Sequence, residues 1–103
     1  MPREKFGTLT EAMFYILICL QKECCGTDIM QQVRELTDGR VRIGPGTLYN
    51  LLDQFLKNQM IQETSVQGRR KNYQITQYGK DLLDLEYERI KQLAYDYERR
   101  MLQ

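Results

Sequence analysis

Gly46-Thr47-Leu48-Tyr49-Asn50-Leu51-Leu52, continued by Asp53-Gln54-Phe55-Leu56-Lys57, is the stretch that decides the fold. Leu48, Leu51, Leu52, Phe55 and Leu56 recur at i, i+3, i+4, i+7 and i+8, the spacing that lines one face of an α-helix. Thr47, Tyr49, Asn50, Asp53, Gln54 and Lys57 fall on the other side. Pro45 suits the first turn, where its missing N–H would have had no partner. A helix is therefore expected over residues 45–58, held by its leucines and presenting a polar face near its start.

Upstream, Ile29, Val33 and Leu36 stand at i, i+4 and i+7. They make one buried stripe on a helix that begins at Gly26 or Thr27 and stops at Thr37-Asp38-Gly39. Residues 6–23 read as a further helix, opened by the capping-box spacing of Thr8 and Glu11. Ala12, Met13, Tyr15, Ile16, Leu17, Cys19 and Leu20 make it apolar over most of its circumference, as in a mid-core helix. Cys24-Cys25-Gly26 is the break between the two. Arg40-Val41-Arg42-Ile43 alternates in polarity and is expected to be a very short strand.

Downstream, residues 60–66 and 70–76 read as two strands turned at Gln67-Gly68, with Tyr73 and Ile75 on one face. Thr76 can cap a last helix over residues 77–101. Along it Leu83, Tyr87, Ile90, Ala94, Tyr97 and Met101 alternate steps of four and three, the seam of a coiled coil. Leu82, Leu85 and Leu93 lie outside that seam. A small domain cannot cover so much apolar surface, so a second chain is expected.

Composition narrows the class. A chain of 103 residues is enough for one compact domain and too short for two. The longest apolar run is residues 12–20, well short of the roughly 20 that span a bilayer. Residues 1–5 are too short and too mixed in charge for a signal peptide, so no membrane partner and a cytoplasmic location are expected. Cys19, Cys24 and Cys25 are too few and too close for a disulfide framework and fit a reducing compartment. With no histidine, no phosphate-cradling glycine loop and no nucleophile motif, neither an enzyme nor a cofactor or metal site is expected.

Net charge is only +1, but the cations cluster, as Arg40 with Arg42 and as Arg69-Arg70-Lys71. Such clusters can meet phosphates on a nearly neutral chain.

The elements give a mainly α chain with a small β-hairpin wing: a winged helix-turn-helix over residues 1–76 and a long C-terminal dimerisation helix over 77–103. That order suits DNA. A helix fits the major groove, where donor and acceptor patterns distinguish all four base pairs. Its N-terminal N–H groups and dipole attract phosphate.

At these residues the chain resembles the PadR-like transcriptional regulators. The resemblance lies in Leu9-Thr10-Glu11, Gly26-Thr27-Asp28-Ile29, residues 46–52, residues 56–61 and the run from Gly68 through Arg69-Arg70-Lys71-Asn72-Tyr73 to Gly79. It covers about residues 8–100. It implies a homodimeric repressor on double-stranded DNA, and for some members release by phenolic acids or multidrug-like cations. One departure is Gln59, where family members often carry the glycine suited to a left-handed helix end.

The candidate DNA contacts are Thr27, Arg42, Thr47, Tyr49, Asn50, Arg69, Arg70 and Lys71. Tyr49 is expected to donate to a phosphate, the alternative being packing on the second helix. Thr47 is a phosphate contact or a simple helix-start residue. Asn50 suits bidentate pairing with adenine or is idle surface. Arg69, Arg70 and Lys71 are expected at phosphates. Arg3 and Lys5 are read as disordered surface, the alternative being DNA contact from a mobile N-terminus. The expected dimer seam is Leu83, Tyr87, Ile90, Ala94, Tyr97 and Met101. Phe14, Tyr15, Tyr95 and Asp96 are candidates for a small aromatic effector, with dimer core as the plainer role. Cys24 and Cys25 are read as buried thiols rather than a sensor. The competing function is a winged-helix protein-interaction module that binds no DNA.

Overall fold

The computed structural model describes residues 7–102. Its elements are α1 (Glu11–Cys19), β1 (Cys24–Cys25), α2 (Gly26–Leu36), α3 (Pro45–Lys57), β2 (Ile61–Gln67), β3 (Arg70–Ile75) and α4 (Gln77–Met101). The helix expected from the leucine spacing is α3. It starts at Pro45, as expected, and buries Leu48, Leu51, Leu52 and Phe55. Against that face pack Ile16, Leu17 and Leu20 of the α1 segment and Ile29 and Val33 of α2, in one core. Each such side chain contributes roughly 1.5–3 kcal/mol by leaving water.

α3 ends in a Schellman turn. The Gln59 N–H donates to the Leu56 carbonyl and the Met60 N–H to the Phe55 carbonyl, 2.9 Å away. Gln59 is the left-handed residue of this turn, at φ 61°. Phe55 and Met60 supply its apolar contact, both without solvent exposure. The chain thus bears a side chain where glycine would be unstrained. Asp38, at φ 52°, plays the same part after α2.

The exit of the sheet is joined to this turn. Thr76 caps α4, its Oγ1 accepting from the Gly79 N–H at 3.0 Å, and the same hydroxyl donates to the Gln59 carbonyl at 2.7 Å. Gly79 packs directly on the backbone of Met60. A Cβ there would fall on the Met60 carbonyl oxygen and lie 2.9 Å from Ile75 Cγ1.

The sheet is antiparallel, ordered β1-β3-β2, and its third strand is not the expected one. Arg40-Val41-Arg42-Ile43 forms no strand. It follows two left-handed residues, Asp38 and Gly39. Its N–H groups turn back on Thr37: Arg40 donates to the carbonyl and Val41 to Oγ1. The edge of β3 is taken instead by Cys24 and Cys25, paired with Tyr73 and Asn72.

Other expectations are corrected. α1 is capped by Thr10, whose Oγ1 accepts from the Met13 N–H at 3.2 Å, not by Thr8. It ends at Cys19, because Leu20 and the turn after it lead the chain into β1. Leu36 is 57% exposed rather than buried, being at the end of α2 where the stripe has turned away from the core. The wing turns at Gly68-Arg69, not at Gln67-Gly68; Gly68 takes the left-handed φ of 63° the turn needs. On α4 the core takes Leu82 beside Leu83, although the seam assigned only Leu83 inward. The expected start of the first helix at Phe6, and Arg3 and Lys5, lie outside the described residues.

Replacing Gly79 with Ala should destabilise the chain by about 2–3 kcal/mol in urea unfolding, because the new methyl meets backbone that cannot yield. Gln59→Gly should stabilise it by up to about 1 kcal/mol. The reverse order of these effects would contradict the junction described above.

Candidate functional site

The core placement of α3 determines what remains outside. With Leu48, Leu51, Leu52 and Phe55 turned inward, Thr47, Tyr49, Asn50 and Asp53 are exposed along the opposite side. The hairpin stands beside this face. A cleft of about 390 Å³ between them is lined by Cys25, Gly26, Thr27, Tyr49, Arg69, Arg70, Lys71 and Tyr73. Five of the eight residues picked as DNA contacts, Thr27, Tyr49, Arg69, Arg70 and Lys71, therefore converge on one place.

Tyr49 does two things there. It is 44% exposed, yet its ring rests on the first residue of α2. A Cβ on Gly26 would come within 2.7 Å of Tyr49 Cζ. The two alternatives weighed for this tyrosine are therefore compatible: it packs on α2 and keeps an open edge. Tyr73 forms the floor. Burial pushes its hydroxyl above the ordinary value, helped by Glu63, Tyr49 and Asp53 around it.

Two of the three wing cations lie against carboxylates. Arg70 Nη2 donates to Asp28 Oδ2 at 3.3 Å, across 42 positions of sequence. Lys71 Nζ lies 3.9 Å from Glu63 Oε2. Arg69, in the turn, has no ion pair among the described residues. The contact with the Cys25 thiol, and then with Asp28, raises the Arg70 guanidinium above its usual value. For Cys25 itself burial pulls upward. Hydrogen bonds from the Thr27 hydroxyl, the Asp28 backbone and Arg70 outweigh it, leaving the thiol below its ordinary value. The wing is also fastened at its other strand. Thr64 donates to the Glu23 carboxylate and Ser65 does so at 3.0 Å, which lowers that carboxyl's pKa.

The other site residues lie elsewhere. Arg42 is exposed before α3, its Nε donating to the Gly39 carbonyl at 3.4 Å. Its neighbour Arg40 is tied to α1 by Glu11, at 3.2 Å, and by the Tyr15 hydroxyl, at 3.1 Å. Phe14 and Tyr15 meet edge to face and share a cleft of about 400 Å³ with Leu9, Glu86, Arg89 and Ile90. Tyr95 and Asp96 are outside that cleft, on the far part of α4, where Arg99 lies over the Tyr95 ring. Of the seam, Leu83 is buried in the core, while Tyr87, Ile90, Ala94, Tyr97 and Met101 are exposed in the single chain.

Cys25, Gly26 and Tyr73 line the cleft, and Asp28 joins it only through Arg70; none of the four is among the expected DNA contacts. Asp28 in a helix's first turn is ordinary dipole chemistry, and nothing local indicates that its partner is Arg70.

Residues 16–85 match the family model described as Transcriptional regulator PadR-like family. No curated protein matches the chain. Among solved structures, a transcriptional regulator from Clostridium thermocellum is similar at 24% identity, with 87% of this chain and 89% of that one covered and a TM-score of 0.78. A PadR-like transcription factor from Bacteroides fragilis is similar at 25% identity, over 84% of this chain and 86% of that one, with a TM-score of 0.72. A PadR family transcription regulator from Clostridium difficile R20291 gives 22% identity, 84% and 95% coverage and a TM-score of 0.70. The architecture is accordingly the winged helix with a long C-terminal helix.

Gly26→Ala should displace the Tyr49 ring rather than the backbone, since a side-chain end can swing aside. The expected result is a shift of the Tyr49 aromatic proton resonances with less than about 1 kcal/mol lost in unfolding. Unmoved resonances would show that the ring does not rest on Gly26.

Proposed function

The chain belongs to the PadR-like family of transcriptional regulators, and from that premise we propose that it binds double-stranded DNA sequence-specifically as a homodimer and represses transcription. One observation carries this reading: the cleft where the exposed start of α3 meets Arg69, Arg70 and Lys71 of the wing. The start of α3 suits a major groove, with Asn50 as the base reader and Thr47 and Tyr49 toward phosphate. Thr27, at the start of α2, and Arg42 extend the phosphate contacts. The wing cations then reach the neighbouring backbone. Few of these side chains are strong base readers, so affinity comes largely from phosphates and from pairing two helices across a dimer.

The division of labour is residues 1–76 for DNA and 77–103 for dimerisation, with Leu82, Leu83 and Glu86 at the base of α4 completing the core. Exposed Tyr87, Ile90, Leu93, Tyr97 and Met101 on the remainder of α4 support a second copy as its cover. An aromatic or cationic effector would release the repressor. Phe14 and Tyr15 share their cleft with Ile90 rather than with Tyr95 and Asp96, so an effector site using all four draws on both chains.

Changing Arg69, Arg70 and Lys71 together to Ala should weaken binding to every duplex sequence. It should also flatten the dependence of log affinity on log salt by up to about 3. Unchanged affinity and slope would favour the protein-interaction module instead. Sedimentation should give a dimer at micromolar concentration, and Ile90→Asp a folded monomer. A folded wild-type monomer would remove the dimer from this reading.

A further inference from the structure

We propose that Asp28 is a built-in competitor of DNA for Arg70, an autoinhibitory contact that keeps the wing's affinity for DNA of any sequence low. This rests on the DNA-binding reading and deepens it. To a guanidinium, a carboxylate and a phosphodiester are alternative acceptors of the same geometry. In the chain without DNA, Arg70 Nη2 is engaged by the Asp28 carboxylate, the anionic partner that a phosphate would replace.

Three features make the contact exchangeable. It is a single Nη2–Oδ2 contact at 3.3 Å, not the two-pronged fork that Arg and a carboxylate can form. It sits at the surface, with side-chain exposures of 57% for Arg70 and 44% for Asp28, so phosphate can reach the guanidinium. Asp28 also has its own reason to stay in place: it lies in the first turn of α2, where the helix dipole favours a negative charge. When Arg70 leaves, the carboxylate is still stabilised.

The contact is also placed to matter. Arg70 lines the cleft that holds Thr27, Tyr49 and Lys71. Lys71 has Glu63 beside it, so two of the three wing cations start out matched. Sequence-independent binding depends on cations neutralising phosphates, and a matched cation contributes less. Asp28 thereby weakens the non-specific mode, leaving the base contacts of α3 to decide which DNA is held.

The test measures duplex affinity by fluorescence anisotropy for the wild-type chain, Asp28→Asn, Arg70→Ala and the double variant, using a random-sequence duplex over a range of salt. Asn keeps the size of the side chain and removes its charge. Asp28→Asn should bind about two- to fivefold more tightly, the range set by an exposed ion pair. Its salt dependence should be steeper by about one phosphate. In the Arg70→Ala background the gain should vanish. A gain of equal size without Arg70 would mean that Asp28 merely repels DNA and would overturn the proposal. Unchanged or weaker binding of Asp28→Asn would do the same, since Asp28 would then be idle or would position Arg70 for phosphate. If Asp28→Asn unfolds, Asp28→Ser takes its place in the same cycle. A wild-type chain that binds no duplex at all would instead remove the functional reading on which this one stands.

Discussion

The burial of one face of α3 is the constraint on which the rest of the molecule depends. Leu48, Leu52 and Phe55 lose essentially all contact with water, which sets the rotation of the helix about its axis. Once that rotation is set, the exposed side is no longer free to vary: it is Thr47, Tyr49, Asn50 and Asp53. The same burial places the helix end. Phe55 and Met60 close the Schellman turn, and the left-handed Gln59 redirects the chain into β2. A side chain at a left-handed position costs energy, and here the packing of Phe55 and Met60 on either side offsets it.

A second set of contacts carries that geometry to the wing. Thr76 caps α4 while bonding back to the Gln59 carbonyl, and Gly79 lets α4 approach the Met60 backbone. Glu23 holds Thr64 and Ser65 of β2, and β1 pairs with β3. The hairpin is thus joined to both α3 and the turn before α2. The distance between the wing and the exposed start of α3 follows from these joints. The proposed phosphate surface shared by the two needs these joints to be stiff, since its residues come from separate elements of the chain.

Where the sequence has strong local period, the fold could be read from it. The leucines of α3, the alternation of β3 and the Thr76 cap of α4 each specify their element through neighbours three or four residues away, or two. Four features were not legible, because residue type and local period do not decide them. Cys24-Cys25 is a strand only because β3 offers it an edge, and a two-residue strand has no period to detect. Arg40-Val41-Arg42-Ile43 has the period of a strand, but β1 takes the edge of β3 and Thr37 takes the N–H groups of Arg40 and Val41. Thr8 and Thr10 both precede an acidic first turn, and only backbone geometry chooses Thr10. Leu36 fits the stripe of α2, but the helix ends before the core reaches it. In the site, the cationic run and the polar start of α3 could be listed from the chain, and the fold brings Thr27, Tyr49, Arg69, Arg70 and Lys71 together. Their carboxylate partners could not be foreseen, because any of the chain's acidic residues is an equally good candidate for Arg70 until the fold chooses Asp28.

On the proposed reading α3 has few base readers and the wing meets phosphates, so specificity should rest on two copies acting together on one duplex. The most direct test of that claim is selection of bound duplexes from random-sequence DNA by the full-length chain. An enriched inverted repeat is predicted, with half-sites about 10 base pairs apart, centre to centre, or a multiple of that spacing. Recovery of sequences no different from the starting pool would contradict sequence-specific binding by this face.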